Sequence, residues 1–488
     1  MIMIQSKKQN IVAQTLLCAA LVLTSLSSCC GSKSTGEELS YPEQVKAYYD
    51  KDSVLPGATA STVAYFDLSD GIVVAYKSNA SCADFLNRIT QRIITGEESQ
   101  VYALANDEIT PLEMKQTALY NKIMDASSYR QHMAPIEKTL EKIVTDGRTA
   151  VLVTDFEEYT PDKRVQHAAF ATRYFTKWLR EQGDITFFVF NYVERRLPKH
   201  LYFIVFDNKE HQLLSQIQAA TDGVYGFETF HLSRDAYSYT TEYPSATKGG
   251  NYHSADAGGL DIVTAVLEDG DAESYTNLDG AVEFYPIGET WANAIKNAAA
   301  CRQPGVKPLY TDILRNLFFD FSDTDSYMID QLAVRVTDVE DDFCQFEECR
   351  LADTATDPEN DAHYDANGNK LPEYDYAKNP GKTFEVKDML VLDQELFQTS
   401  LQESARKKVE VGIDFSPNFG GAIIGGDDAD LLRVDVVIAK ARPNLSARID
   451  DLFLWNGNNN LRDAIRNTLQ ELNPEGDIIY TYYLKPMN

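Results

Sequence analysis

Two aspartates follow apolar runs that are typical of buried strands, and both are placed for metal-ion chemistry. Asp67 ends the run TVAYF and is followed by Ser69, while Asp155 ends the later run AVLVT. Parallel strands present their carboxyl ends to one crevice, where ligands bind, so we expect these side chains to converge. Two carboxylates and a hydroxyl supply the hard oxygen ligands that suit Mg²⁺, Mn²⁺ or Ca²⁺. The pattern therefore predicts a divalent-cation site at Asp67, Ser69 and Asp155.

The elements that must position these residues alternate between strands and helices over residues 58–235. Apolar runs at 62–68, 99–104, 149–154, 185–191 and 201–206 predict buried strands. Segments such as 82–94 and 133–144 carry apolar residues at helical spacing. Strands that are apolar on both faces and alternate with helices predict a doubly wound α/β domain.

These motifs resemble the von Willebrand factor A family. That family places Asp-x-Ser-x-Ser after its first strand and an Asp within a later Thr-Asp-Gly. Asp67, Ser69 and Asp155 match, whereas Gly71 and Phe156 stand where Ser and Gly are expected. The resemblance implies a domain that binds one divalent cation and grips a partner whose acidic residue completes the shell of that cation.

A middle loop supplies a further ligand in that family, a Thr hydroxyl. The corresponding segment here is 125–129, with the sequence DASSY. The resemblance implies that Ser127 or Ser128 replaces the Thr, because both carry a hydroxyl oxygen.

The N-terminus predicts an exported lipoprotein. Residues 1–28 combine basic residues with an apolar stretch that is too short for a membrane span of about 20 residues. The stretch ends in Leu-Ser-Ser before Cys29, which resembles the bacterial lipobox and implies lipidation of Cys29. Residues 29–57 then form a predicted flexible tether. No Asp follows Cys29, which favours the outer membrane of the cell envelope.

The pattern changes after a Ser-, Thr-, Gly- and Tyr-rich stretch at 236–258, which predicts a linker. Residues 259–488 carry alternating strands, for example at 408–415 and 432–440, and predict a β-rich, sandwich-like α+β domain. Residues 338–381 form an acidic surface insertion in this prediction. Cys344 and Cys349 lie within it and are candidates for a disulfide, which an export compartment permits.

Composition limits the possible partners. The chain carries 45 Lys and Arg against 74 Asp and Glu, a formal charge of −29, which disfavours nucleic acid. The seven histidines show no paired metal-ligand spacing, and no serine-hydrolase or nucleotide-binding motif is present. We therefore expect a binding or adhesion module for a protein or glycan partner, and not an enzyme. A structural component of a surface assembly and a glycan-processing hydrolase remain open as alternatives.

Overall fold

The computed structural model describes ten stretches of the chain. They are residues 41–50, 62–94, 99–159, 165–209, 211–241, 284–287, 314–354, 381–416, 431–455 and 458–486. The predicted signal segment 1–28 and Cys29 lie outside the described residues. Two compact units are present: one comprises Met1–Tyr48 with Asp341–Gly381, and the other Tyr49–Glu340 with Lys382–Asn488.

The described residues form helices and strands along both units. The helices are α1 (Tyr41–Asp50), α2 (Asp70–Ser78), α3 (Ala80–Ile89), α4 (Gln116–Met124), α5 (Ile136–Asp146), α6 (Thr172–Glu181), α7 (Gln212–Ala220), α8 (Glu340–Thr354), α9 (Gln394–Glu403), α10 (Ala447–Phe453) and α11 (Asn460–Glu471). The strands are β1 (Val63–Asp67), β2 (Gln100–Ala105), β3 (Glu108–Pro111), β4 (Ala150–Thr154), β5 (Ile185–Glu194), β6 (Leu197–Phe206), β7 (Glu228–Leu232), β8 (Ser238–Thr241), β9 (Phe284–Ile287), β10 (Leu314–Asp320), β11 (Tyr327–Asp338), β12 (Phe384–Glu385), β13 (Leu390–Leu392), β14 (Val409–Phe415), β15 (Leu432–Pro443) and β16 (Ile478–Pro486).

A seven-stranded mixed sheet dominates the larger unit, in the order β3-β2-β1-β4-β6-β5-β7. Its apolar residues pack on both faces, because alternate side chains of a strand point to opposite sides. Tyr65 belongs to the core that includes helices α5 and α6, whereas Phe66 belongs to the core of α2, α3 and α7. The α/β prediction is therefore confirmed at the level of a sheet flanked by helices.

The sheet is less parallel than predicted. Strands β2, β1 and β4 run parallel, but β6 is antiparallel to β4 and forms a hairpin with β5. The hairpin turns at Arg195 and Arg196, whose φ angles of 49° and 71° are both positive. Such a tight turn usually carries Asn-Gly or Asp-Gly. The arginine pair gives no such signal, so the sequence predicts two separate strands and not a hairpin.

The C-terminal part is β-rich, as predicted. One sheet has the order β13-β14-β10-β8 and another the order β12-β11-β15-β16-β9, and both contribute to one apolar core. Helices α10 and α11 instead cover the seven-stranded sheet, where the ring of Phe453 lies 5.1 Å from that of Phe187. The α/β and β-rich parts therefore share packing within a single unit.

Three segments differ from the interpretation of the sequence. In the predicted tether, residues 41–50 form helix α1, on which Val45 and Tyr48 are buried. In the predicted linker, residues 238–241 form strand β8, which pairs with β10 while Tyr239 packs on the ring of Phe319. The acidic insertion begins with helix α8, and its residues 355–380 lie outside the described residues.

The predicted Cys344–Cys349 disulfide is not formed. Both residues lie on α8, where Cys344 is exposed and Cys349 is buried. Five positions along a helix separate two side chains by about 140° around the axis and by about 7.5 Å along it. This geometry is incompatible with a disulfide.

No helix within the described stretches has both the length and the apolar character that a bilayer span requires.

Candidate functional site

The carboxyl ends of β1 and β4 meet because these strands are parallel neighbours, with Phe66 opposite Val153. Asp67 lies at this edge and is 1% exposed. Its Oδ1 accepts a hydrogen bond from the Ser69 amide at 2.8 Å, and its Oδ2 accepts one from the Thr154 hydroxyl at 2.9 Å. The two strand ends are therefore joined through the Asp67 carboxylate.

Asp155 follows Thr154 and is buried beside Gly71. A Cβ atom at position 71 would lie 2.5 Å from Asp155 Oδ2 and 3.7 Å from the Tyr192 hydroxyl oxygen. The absence of a side chain at Gly71 thus lets the Asp155 carboxylate lie against the first turn of α2. The serine expected from the family resemblance would require Asp155 to move.

A cavity of about 420 Å³ opens at these strand ends. It is lined by Ser69, Asp70, Gly71, Asn106, His132, Met133, Asp155, Glu157, Tyr159, Glu194, Arg195 and Lys199. The Tyr192 hydroxyl is buried near the carboxylates without a hydrogen-bond partner. The cavity is therefore lined by several carboxylates, and the unsatisfied Tyr192 hydroxyl lies next to Gly71, one of its lining residues.

Burial controls the charge of the two aspartates. It raises the pKa of Asp67 to about 6, and the charge of Glu157 adds to the effect. Burial also holds the pKa of Asp155 well above its ordinary value, and the negative charge of Asp67 raises it further. A cation placed between the two carboxylates would favour their ionised forms.

Lys199 supplies positive charge at the rim of the cavity. Its Nζ lies 2.9 Å from Glu157 Oε1 and 2.7 Å from Glu194 Oε2. Glu157 also accepts a hydrogen bond from the Tyr159 hydroxyl at 2.9 Å. This ion-pair network holds the wall of the cavity in place.

The predicted middle-loop ligands are placed differently. Ser127 and Ser128 belong to a 3₁₀ turn, and the Ser127 hydroxyl donates to Asp125 at 2.5 Å. The residues that this region brings to the cavity are His132 and Met133, because Gln131 pairs with Ser69. The structure thus brings together Asp67, Ser69 and Asp155 but gives the middle position to other residues.

Comparison with known proteins assigns no function to this cavity. No protein family, curated protein or solved structure matches the chain.

A second group of potential ligands, which the sequence interpretation missed, lies at the edge of the seven-stranded sheet. Asp184, His211 and His231 place one ligand atom each within 4.8 Å of one another. Burial lowers the pKa of His231, but hydrogen bonds to Asp184 and Asp323 outweigh it and raise the pKa to about 10. The three residues are distant in the chain and have no motif spacing, so only knowledge that β7 pairs with β5 would have revealed them.

Proposed function

We propose that this chain is a lipid-anchored binding protein of the bacterial cell envelope. In this proposal its α/β part holds a divalent cation at the strand-end cavity and uses it to bind a protein or glycan partner. The observation that carries the proposal is the meeting of Asp67, Ser69 and Asp155 at one edge of the sheet, from two segments far apart in the chain.

The backbone after β4 supports the resemblance to the von Willebrand factor A family. Phe156 has a φ of 61°, a left-handed conformation that glycine adopts readily and other residues rarely do. Phe156 stands where that family carries Gly. Its ring is buried and stacks on Phe170 at 5.5 Å, so packing compensates for the unfavourable backbone angle. In this proposal the chain is a divergent relative of that family, and the antiparallel β6 is a departure from the doubly wound fold.

The donor set fits a hard divalent cation. Asp67, Ser69 and Asp155 would hold it through oxygen atoms, which Mg²⁺, Mn²⁺ and Ca²⁺ prefer. The Tyr192 hydroxyl is buried without a hydrogen-bond partner, and it lies next to Gly71 and the Asp155 carboxylate. Both observations support a polar ligand or ion beside Asp155. The cation would supply an open coordination position for an acidic group of the partner. Glu157 and Lys199 would hold the rim of the cavity around that contact.

The N-terminal pattern supports the anchor. Lipidation at Cys29 would attach the chain to a membrane, and two or three acyl chains anchor a protein firmly where one is marginal. A Cys29→Ser variant expressed in a bacterial host should move from the membrane fraction to the soluble fraction and lose the mass of the acyl chains. Membrane association and mass that do not change in Cys29→Ser would contradict the lipid anchor.

Thermal unfolding of the full chain tests the cation site. We expect wild type to gain about 2.7 kcal/mol when Mg²⁺ or Mn²⁺ is present at about 100 times its Kd. Asp155→Asn should abolish this gain, because it removes a ligand charge while keeping the side-chain shape. Asp84→Asn is the matched control, since Asp84 pairs with Arg88 on the surface, and it should respond as wild type does.

The cation-free proteins provide a second readout. Asp155→Asn should be at least as stable as wild type without a cation, because it removes a buried carboxylate that burial already disfavours. A wild type that is unchanged by Mg²⁺, Mn²⁺ and Ca²⁺ would contradict the cation site. That result combined with stable co-purification of envelope proteins would favour the structural role instead.

A further inference from the structure

The cluster at the sheet edge is assembled from three separate elements. Asp184 immediately precedes β5, His211 precedes α7, and His231 lies on β7. His231 pairs with Thr186 of β5, which brings its side chain to the start of that strand. The sheet itself therefore determines the position of two of the three side chains.

The distances match those of a tetrahedral metal site. Asp184 Oδ2 lies 3.3 Å from His211 Nε2 and 3.2 Å from His231 Nε2. Zinc bonds of about 2.0–2.1 Å at tetrahedral angles place neighbouring ligand atoms about 3.3 Å apart. All three ligand atoms lie within 4.8 Å of one another, so a small rotation of the partly exposed His211 closes the triad.

The surrounding residues orient the triad as they do in metal sites. His231 Nδ1 lies 2.5 Å from Asp323 Oδ2, which leaves Nε2 on the side of Asp184. The buried Ser233 hydroxyl donates to Asp184 Oδ1 at 2.7 Å, which leaves Oδ2 facing the histidines. A carboxylate on the second ring nitrogen of a ligating histidine is the usual outer contact of such a site.

We propose that Asp184, His211 and His231 bind Zn²⁺ through three protein ligands and leave a fourth position open to water on the side of His211. Two imidazole nitrogens select zinc over the hard cations Mg²⁺ and Ca²⁺. The site shares no residue with the strand-end cavity. It therefore stands independently of the function proposed above.

Binding of Zn²⁺ alone to the full chain, after removal of metal with a chelator, tests the site by calorimetry. We expect His211→Gln, which changes a partly exposed side chain, to weaken zinc binding at least tenfold. His231→Gln should do the same. Asp323→Asn should weaken binding about 10–100-fold, because it removes only the outer contact.

Two control variants separate this site from other sources of zinc binding. His167→Gln removes an exposed histidine elsewhere, and Asp155→Asn removes a carboxylate of the strand-end cavity. Both should bind zinc as wild type does. Co²⁺ in place of Zn²⁺ should give the intense visible absorption of a four-coordinate site in wild type and in both controls, but not in His211→Gln.

Two results would overturn the proposal. One is a wild-type chain that binds no zinc. The other is wild-type zinc affinity in both His211→Gln and His231→Gln, with circular dichroism showing that both variants are folded. In either case the three residues form only an ion-pair network.

Discussion

The strand-end cavity and the histidine cluster both bury carboxylates, but they balance the negative charge differently. In the cavity, Lys199 is bonded to Glu157 and Glu194, and the pKa of Asp67 remains raised to about 6. In the cluster, Asp184 lies between the imidazoles of His211 and His231. The cavity therefore favours an added cation, whereas in the cluster the raised pKa of His231 supplies a positive charge beside Asp184.

This difference determines which ion each region is expected to bind. The ligands proposed at the cavity, Asp67, Ser69 and Asp155, offer oxygen atoms, which suit a hard cation, whereas the cluster offers two nitrogens, which suit zinc. A metal entering the cluster must displace the proton of His231, whose pKa is raised, whereas a metal entering the cavity meets carboxylates whose pKa burial has raised. Variants that change the charge of one region should therefore leave the other unaffected.

The largest expected effect comes from breaking the ion pairs of the cavity. Lys199→Met keeps the approximate length of the side chain, which is 11% exposed, but leaves Glu157 and Glu194 without their shared ammonium group. Removing one partner of a buried ion pair costs about 3–5 kcal/mol. We expect a loss near the lower value in denaturant unfolding at pH 7. Affinity for Mg²⁺ should increase because a competing positive charge is gone.

Lys138→Met is the matched control for this prediction. Lys138 is 60% exposed and lies 3.9 Å from Asp107 on the surface. Surface pairs of this kind contribute about 0–1 kcal/mol, so this variant should unfold close to wild type. Equal stability losses in Lys138→Met and Lys199→Met would show that the ion pairs of Lys199 contribute no more to the free energy of unfolding than a surface ion pair does.

A smaller effect should appear in the pH dependence of stability, which distinguishes the buried His200 from the partly exposed His231. Burial lowers the pKa of His200 to about 4, below its ordinary value of 6.5. The unfolded chain therefore takes up a proton first, so His200 costs stability as the pH falls from 6.5 to 4. Between pH 7 and pH 5 the expected loss is about 2 kcal/mol. The cluster behaves oppositely, because the pKa of His231 is raised.

Unfolding free energies of wild type and His200→Gln at pH 7 and pH 5 check this prediction. Between pH 7 and pH 5, the free energy of unfolding should fall more in wild type than in His200→Gln. His167→Gln, which changes an exposed histidine, is the matched control. Parallel pH profiles for wild type and His200→Gln would contradict a neutral buried His200.

The sequence could predict that Asp67 and Asp155 lie close together because each of them ends an apolar run. Asp67 and Asp155 needed only one further assumption, that their strands are parallel neighbours, and β1 and β4 meet it. The cluster required more, because Asp184 and His231 come together only through the antiparallel pairing of β5 with β7. Tertiary pairing of this kind leaves no local pattern in the chain.

The errors in the fold prediction have the same origin. The hairpin at Arg195 and Arg196 lacks the usual turn residues, so the sequence assigns its two strands to a parallel, doubly wound sheet. Helices α10 and α11 are amphipathic segments of the C-terminal part, and nothing in their spacing indicates that they cover the sheet of the α/β part. Local periodicity predicts the elements, whereas their partners depend on the whole chain.

The smallest expected effect tests the contact that distinguishes this cavity from the family motif. Gly71→Ala places a Cβ atom 2.5 Å from Asp155 Oδ2, so the carboxylate must shift. Overpacking of this kind costs about 1–3 kcal/mol. In a background that already carries Asp155→Ala, adding Gly71→Ala should lower the free energy of unfolding much less than it does in wild type, because the carboxylate that collides with the new Cβ atom is absent. Additive losses in the double variant, measured by denaturant unfolding, would mean that Gly71 is required for a reason other than the approach of Asp155.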